Sequence, residues 1–162
     1  MNVKHYWMVL AIALTALCTV NCGGNDDDEM VSRNDPVTTE DPEGTIVANL
    51  TNTNKSNIML GNITTIMMSS SNNFIPGWYS EIVCVGKVTG LSSITTIPES
   101  GWAQETAVIP GYGYVVRCVE QWDEKGHIVS YDYIRLFVVD FMESTSGSIM
   151  GCTIKYQVWQ TN

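Results

Sequence analysis

The stretch Tyr112-Gly-Tyr-Val-Val-Arg-Cys-Val-Glu-Gln-Trp122, with Asp123-Glu-Lys-Gly126, His127-Ile-Val-Ser-Tyr-Asp-Tyr-Ile-Arg-Leu-Phe-Val-Val-Asp-Phe141, Ser144-Thr-Ser-Gly147 and Ile149-Met-Gly-Cys-Thr-Ile-Lys-Tyr-Gln-Val-Trp159, decides the fold. Three long runs rich in β-branched and aromatic residues are separated by two short polar joints. Each joint ends in a glycine, where a hairpin loop needs a residue with positive φ. This predicts a β-meander. The middle run is long for one flat strand and its alternation slips near Asp132 to Ile134, which predicts a bulge or bend there.

Working outward, the chain between Gly44 and this meander also reads as strand. Thr45 to Leu50, Asn57 to Gly61, Ile63 to Met67, Glu81 to Val88, Ile94 to Ile97 and Glu105 to Ile109 are short and β-branched, with Asn, Gly, Ser or Pro at their ends. Ser69 to Asn73 is a polar run, Ile75-Pro76-Gly77-Trp78 a turn, and Pro110-Gly111 suits the centre of a type II turn. Residues 44–162 have the length of one domain. The expected class is all-β: a single small antiparallel β-sandwich or partly open barrel with a C-terminal β-meander. Gly61-Asn-Ile-Thr-Thr-Ile66 and Leu91-Ser-Ser-Ile-Thr-Thr-Ile97 each lead to a Gly-Trp pair, Gly77-Trp78 and Gly101-Trp102, which suggests two related β units.

Charge divides unevenly. The 162 residues carry a net charge of −9. Residues 23–43 hold eight of the acids against Arg33, whereas residues 44–162 hold nine acids against six bases. Segment 22–43 lacks aromatics and carries Pro36 and Pro42, the composition of a flexible, self-repelling tether. About 21 residues reach roughly 70 Å when extended and about 25 Å as a coil. No basic footprint for nucleic acid exists.

Ahead of the tether, Lys4 and His5 precede an apolar run from Tyr6 to Leu17, too short to span a bilayer but of signal-peptide length. Thr19-Val20-Asn21-Cys22, followed by Gly23-Gly24 and the acids Asp26 to Glu29, resembles a bacterial lipoprotein signal. That resemblance implies cleavage after residue 21, diacylation of Cys22 and attachment to the outer membrane, facing the cell exterior; Thr15-Ala16-Leu17-Cys18 is the rival site. Two or three acyl chains make such anchoring effectively permanent. The predicted organisation is a signal peptide over 1–21, an acidic tether over 22–43 and a β domain over 44–162.

Val85-Gly-Lys-Val-Thr-Gly-Leu91, Ile97-Pro98 with Gly101-Trp102-Ala103, Val108-Ile-Pro-Gly-Tyr-Gly-Tyr-Val115, Tyr133-Ile-Arg-Leu-Phe-Val-Val-Asp-Phe141 and Lys155-Tyr-Gln157 are similar to a family of small Bacteroides lipoproteins classed only as a domain of unknown function. The resemblance implies the compartment and no catalytic residues.

The chemistry-bearing residues narrow the function classes. With the signal removed, His127 is the sole histidine, which disfavours a zinc site, a Ser-His-Asp triad and a Cys-His pair. Asp123, Glu124, Asp132, Asp140 and Glu143 could pair for glycoside hydrolysis, but acids at hairpin ends are usually turn formers. Strand parity points Cys84, Cys118 and Cys152 inward, opposite Lys87, Arg117 and Lys155. They are either three buried thiols or one disulfide with a thiol left over. The residues point to no enzyme, metal or cofactor. They point instead to a non-catalytic module whose ligand-binding aromatics, Trp78, Tyr79, Trp102, Tyr112, Tyr114 and Trp122, lie at or beside turns and contact a glycan or a protein. The alternative is a structural or adhesive envelope subunit assembling by strand sharing.

Overall fold

A computed structural model describes residues 40–53 and 56–159. The signal, the lipidation site at Cys22 or Cys18 and most of the tether lie outside the described residues. The last tether residues belong to the body: the Lys155 ammonium pairs with Asp41 at 2.6 Å, and the Gln157 amide donates to the Glu43 carbonyl.

Among the described residues nine strands follow in order: β1 (Ile46–Thr51), β2 (Asn57–Leu60), β3 (Thr64–Met68), β4 (Asn73–Pro76), β5 (Ser80–Lys87), β6 (Thr106–Ala107), β7 (Tyr112–Trp122), β8 (Ile128–Glu143) and β9 (Ile149–Trp159). They form two antiparallel sheets, ordered β1-β9-β8-β7-β5 and β2-β3-β4-β6, that pack as a sandwich and do not close into a barrel. The meander β7-β8-β9 is the middle of the larger sheet. Its hairpins turn where expected, with Gly126 at φ 80° and Gly147 at φ 78°. Pro110-Gly111 also turns as expected, with Gly111 at φ 77° and the Tyr112 N–H reaching the Ile109 carbonyl at 3.2 Å.

Strand alternation supplies the main core. Ile82, Tyr114, Val116, Ile134, Leu136 and Ile154 of the larger sheet face Leu60, Ile66, Met68 and Phe74 of the smaller one, and all are buried. Each such aliphatic side chain contributes on the order of 1.5–3 kcal/mol by leaving water. Phe74 meets Tyr114 edge to face across the layer at 5.2 Å, the geometry that aromatic quadrupoles favour.

The larger sheet is covered on its other face too, by the chain's own segment between β5 and β6. Leu91 and Ile94 lie on Val83 and Val115, with Trp102, Tyr133, Phe137 and Trp159 around them. Gly113 permits this: a Cβ there would stand 2.8 Å from Ile94 Cδ1. The segment finishes by pairing Ala103 with Ile82 through two backbone hydrogen bonds of 2.8 and 2.9 Å along the outer edge of β5.

This second core corrects several expectations. Ile94 to Ile97 is not a strand: a single 3-10 turn, Leu91–Ser93, sets Ile94 as a plug. The two echoing segments therefore differ, one being β3 and the other this plug, so they are not two related β units. Glu105 to Ile109 pairs over Thr106–Ala107 only. The expected turn at Ile75-Pro76 is the end of β4, with Phe74 buried, and the chain turns only at Gly77.

Nor is there a bend at Asp132–Ile134, which stay in register with Cys118, Arg117 and Val116. The alternation looks slipped because Tyr131 and Tyr133 are large residues on a face that is itself covered. The extra residues lie elsewhere: Val139 is skipped between the pairs Val138–Ile154 and Asp140–Thr153, and Glu120 between Val119–Tyr131 and Gln121–Ser130.

Cys84, Cys118 and Cys152 are free thiols on the inner parity. Burial pushes the Cys152 thiol up to about 12.

Candidate ligand site

Between β4 and β5 the chain reverses in the turn Gly77-Trp78-Tyr79-Ser80, closed by the Ser80 N–H on the Gly77 carbonyl at 3.2 Å. Its third residue has φ 57°. Turns with one left-handed residue normally place Gly or Asn there, and a bulky side chain in that region is an outlier costing roughly 1–2 kcal/mol. Tyr79 occupies it, and its ring gains little cover in return: Trp78 is 89% exposed and Tyr79 69%.

The turn is held from below. Ser80 is fully buried and its hydroxyl meets that of Thr64 on β3 at 2.7 Å. The Gly77 N–H reaches the Thr65 carbonyl at 2.7 Å, and the Val119 N–H of β7 reaches the Tyr79 carbonyl at 3.0 Å. Gly77 is required by the close approach, since a Cβ would stand 2.6 Å from Thr65 Oγ1 and 2.9 Å from Thr64 Oγ1. The two rings are thus presented on backbone fastened to both sheets. Trp122, at the end of β7 and half-exposed, adds a third, its ring lying edge to face with Tyr79 at 5.8 Å.

Beside the turn, an open groove of about 480 Å³ runs along the outer face of the smaller sheet. Asn57, Thr65, Met67, Ile75, Trp78, Tyr79 and Gln104 are among its lining residues. Its size falls in the range of about 300–1,000 Å³ found for small-ligand sites. Among the described residues that line it, none is charged. The sequence reading did not single out Asn57, Thr65, Met67, Ile75 or Gln104. The signal for the β3 residues was the alternation of that strand, which turns Thr65 and Met67 away from the buried Thr64, Ile66 and Met68.

The six aromatics named from sequence divide. Trp78, Tyr79 and Trp122 come together at one end of the sandwich. Trp102 is half-buried on the covered outer face of the larger sheet, where the Arg117 guanidinium lies between its ring at 4.3 Å and that of Tyr131 at 4.7 Å. Glu81 accepts from Arg117 Nε at 2.8 Å and completes the arrangement. Tyr112 packs partly buried against the main core. Tyr114 is not a surface ring: it is fully buried, its hydroxyl donating to the Ala107 carbonyl at 2.8 Å and accepting from the Ile109 N–H at 2.9 Å. The strand parity that turns Cys118 inward turns Tyr114 inward with it.

Two of the acids named from sequence, Asp123 and Asp140, bond to the neighbouring chain. Asp123 accepts from the backbone N–H groups of Lys125 and His127 and from the His127 ring at 3.0 Å; the His127 donors hold its carboxyl below the usual range. Asp140 accepts from the Phe141 N–H at 2.8 Å. Burial, with a smaller contribution from Glu120, raises Asp132. Among the described residues no three His, Cys, Asp or Glu side chains converge as a metal site, and no helix is long and apolar enough to cross a membrane.

Comparison of the chain with protein-family models, with curated proteins and with solved structures found no match.

Proposed function

We propose that this chain is a lipid-anchored protein of the bacterial outer membrane, facing the exterior, whose β body is a non-catalytic binding module. The lipobox-like Cys22 with its acidic tether, and the resemblance to small Bacteroides lipoproteins, support the compartment. One observation carries the activity: Tyr79 is held in a left-handed conformation on a turn clamped between the two sheets, with its ring and that of Trp78 left in solvent. Strain kept where it serves no core points to a functional surface, and a rigid aromatic pair binds at low cost in conformational entropy. The test is retention of the full chain on immobilised envelope polysaccharides and secreted proteins, compared with Trp78→Ala. Retention that this substitution leaves unchanged would remove the turn from the binding surface.

A second reading, assembly through strand sharing, is favoured by the outer edge of β1. Among the described residues this strand pairs with β9 alone, and it exposes Ile46 and Val47. Concentration-dependent assembly of the full chain, abolished by Val47→Pro, would favour it.

A further inference from the structure

We infer that the ligand of the aromatic turn is a neutral oligosaccharide, lying along the groove on the outer face of the smaller sheet. This rests on the binding role proposed for the turn and specifies its ligand class. The inference follows from what the groove can and cannot satisfy. Its described lining offers three kinds of group: the rings of Trp78 and Tyr79, an apolar floor of Met67 and Ile75, and the uncharged polar side chains Asn57, Thr65 and Gln104.

An anionic ligand would find no Lys or Arg among these residues to replace the water it gives up, and desolvating a charge without a partner is costly. An apolar peptide would cover Trp78 well, yet would leave the amides of Asn57 and Gln104 without the hydrogen bonds they make to water. A pyranose meets all three demands. Its C–H face lies on an indole or phenol ring. Its equatorial hydroxyls both donate and accept, as the two amides and the Thr65 hydroxyl do.

Position agrees with chemistry. Trp78 lines the groove with 89% of its surface free, so a sugar can stack on it without displacing protein. The Thr64–Ser80 hydroxyl pair and the tight seat of Gly77 hold that ring's backbone against β3, so stacking requires little ordering of the turn.

The experiment is a binding screen of the full chain against three immobilised sets: neutral oligosaccharides, sulfated or uronic-acid oligosaccharides, and apolar peptides. It is run on wild type, Trp78→Ala, and the double variant Asn57→Ala with Gln104→Ala, with each variant's melting temperature measured alongside. The expected result is retention on members of the neutral set, reduced at least tenfold by Trp78→Ala and at least threefold by the amide double variant, with melting temperatures unchanged.

Trp78-dependent retention confined to the charged or the peptide set overturns the neutral-sugar inference and leaves the aromatic turn as a binding surface. Retention on neutral sugars that neither variant alters overturns both. Silence on all three sets overturns the inference, and the turn is then judged on the polysaccharide and protein retention described above.

Discussion

The hydroxyl of Thr64 on β3 and that of Ser80 at the start of β5 meet at 2.7 Å, joining one sheet to the other beneath the exposed rings of Trp78 and Tyr79. Both residues are buried, Ser80 completely. A buried hydroxyl deprived of its partner costs about 1–3 kcal/mol, whereas removing both members of a pair costs less than the sum. Ser80→Ala and Thr64→Val should each lower unfolding free energy by about that amount, with the double variant sub-additive in urea titrations. Additive losses would show that the two hydroxyls are independent.

Tyr79→Asn tests whether the left-handed residue is there for function. Asn tolerates this conformation better than Tyr, while the edge-to-face contact with Trp122, worth about 0.5–1.5 kcal/mol, is lost. The two effects offset, so stability should stay within about 1 kcal/mol of wild type while ligand retention falls several-fold. A variant that binds as well as wild type would show that the ring contributes nothing.

Stability should decline at alkaline pH. The Cys152 thiol has an ordinary value of 9.0, and burial raises it to about 12 in the folded chain. The folded state therefore keeps its proton where the unfolded state releases it. The contribution is complete below pH 9 and is lost as pH rises from there through about 12, at a limiting slope of about 1.4 kcal/mol per pH unit. Burial raises Tyr114 as well, which adds a second loss beginning above its ordinary 10.0. Cys152→Val should flatten the dependence between pH 9 and 10 and leave the steeper fall above it. An unchanged slope in that interval would show that the thiol is not responsible.

Arg117 makes its contacts as a plane. Its guanidinium lies between Trp102 and Tyr131 and donates to Glu81, and a lysine can supply neither the stacking surface nor the fork. Arg117→Lys should cost about 1–2 kcal/mol, with the cation–π share of roughly 0.5–1 kcal/mol per ring at a partly exposed site. It should also loosen the segment from Thr89 to Ala103, seen as faster amide exchange at Ala103. Stability equal to wild type would mean that the stack is incidental.

Much of the fold was legible because strands write their burial into the sequence with period two. The meander, both hairpin glycines, the Pro110-Gly111 turn and the inward cysteines all followed from that rule and from turn chemistry. The rule weakens where a sheet is covered twice. Tyr131, Tyr133 and Phe137 are large on the outward parity because Leu91, Ile94 and Trp102 cover that face, so two-sided burial looked like a slipped register. Ile94 to Ile97 carries strand composition, yet Gly113 on a distant strand leaves room for Ile94 as a plug, and no local pattern encodes a partner 19 positions away. For the site, aromatics near turns were visible as a set, but their separation into exposed and packed members depended on which sheet face each met. Parity alone already removed Tyr114. The groove was not visible, because Asn57 of β2, Thr65 of β3 and Gln104 before β6 become neighbours only when the smaller sheet forms.

The pairing of Ala103 with Ile82 does more than finish the covering segment. It occupies hydrogen-bonding positions on one margin of the larger sheet, so among the described residues β1 offers that sheet's longer uninterrupted margin. Edge-to-edge growth of a fibre needs two margins on every unit, one to receive and one to offer. With Ile82 already bonded to Ala103, a partner strand arriving at β5 would have to displace that segment first, so the pairing works against open-ended edge-to-edge growth of the larger sheet.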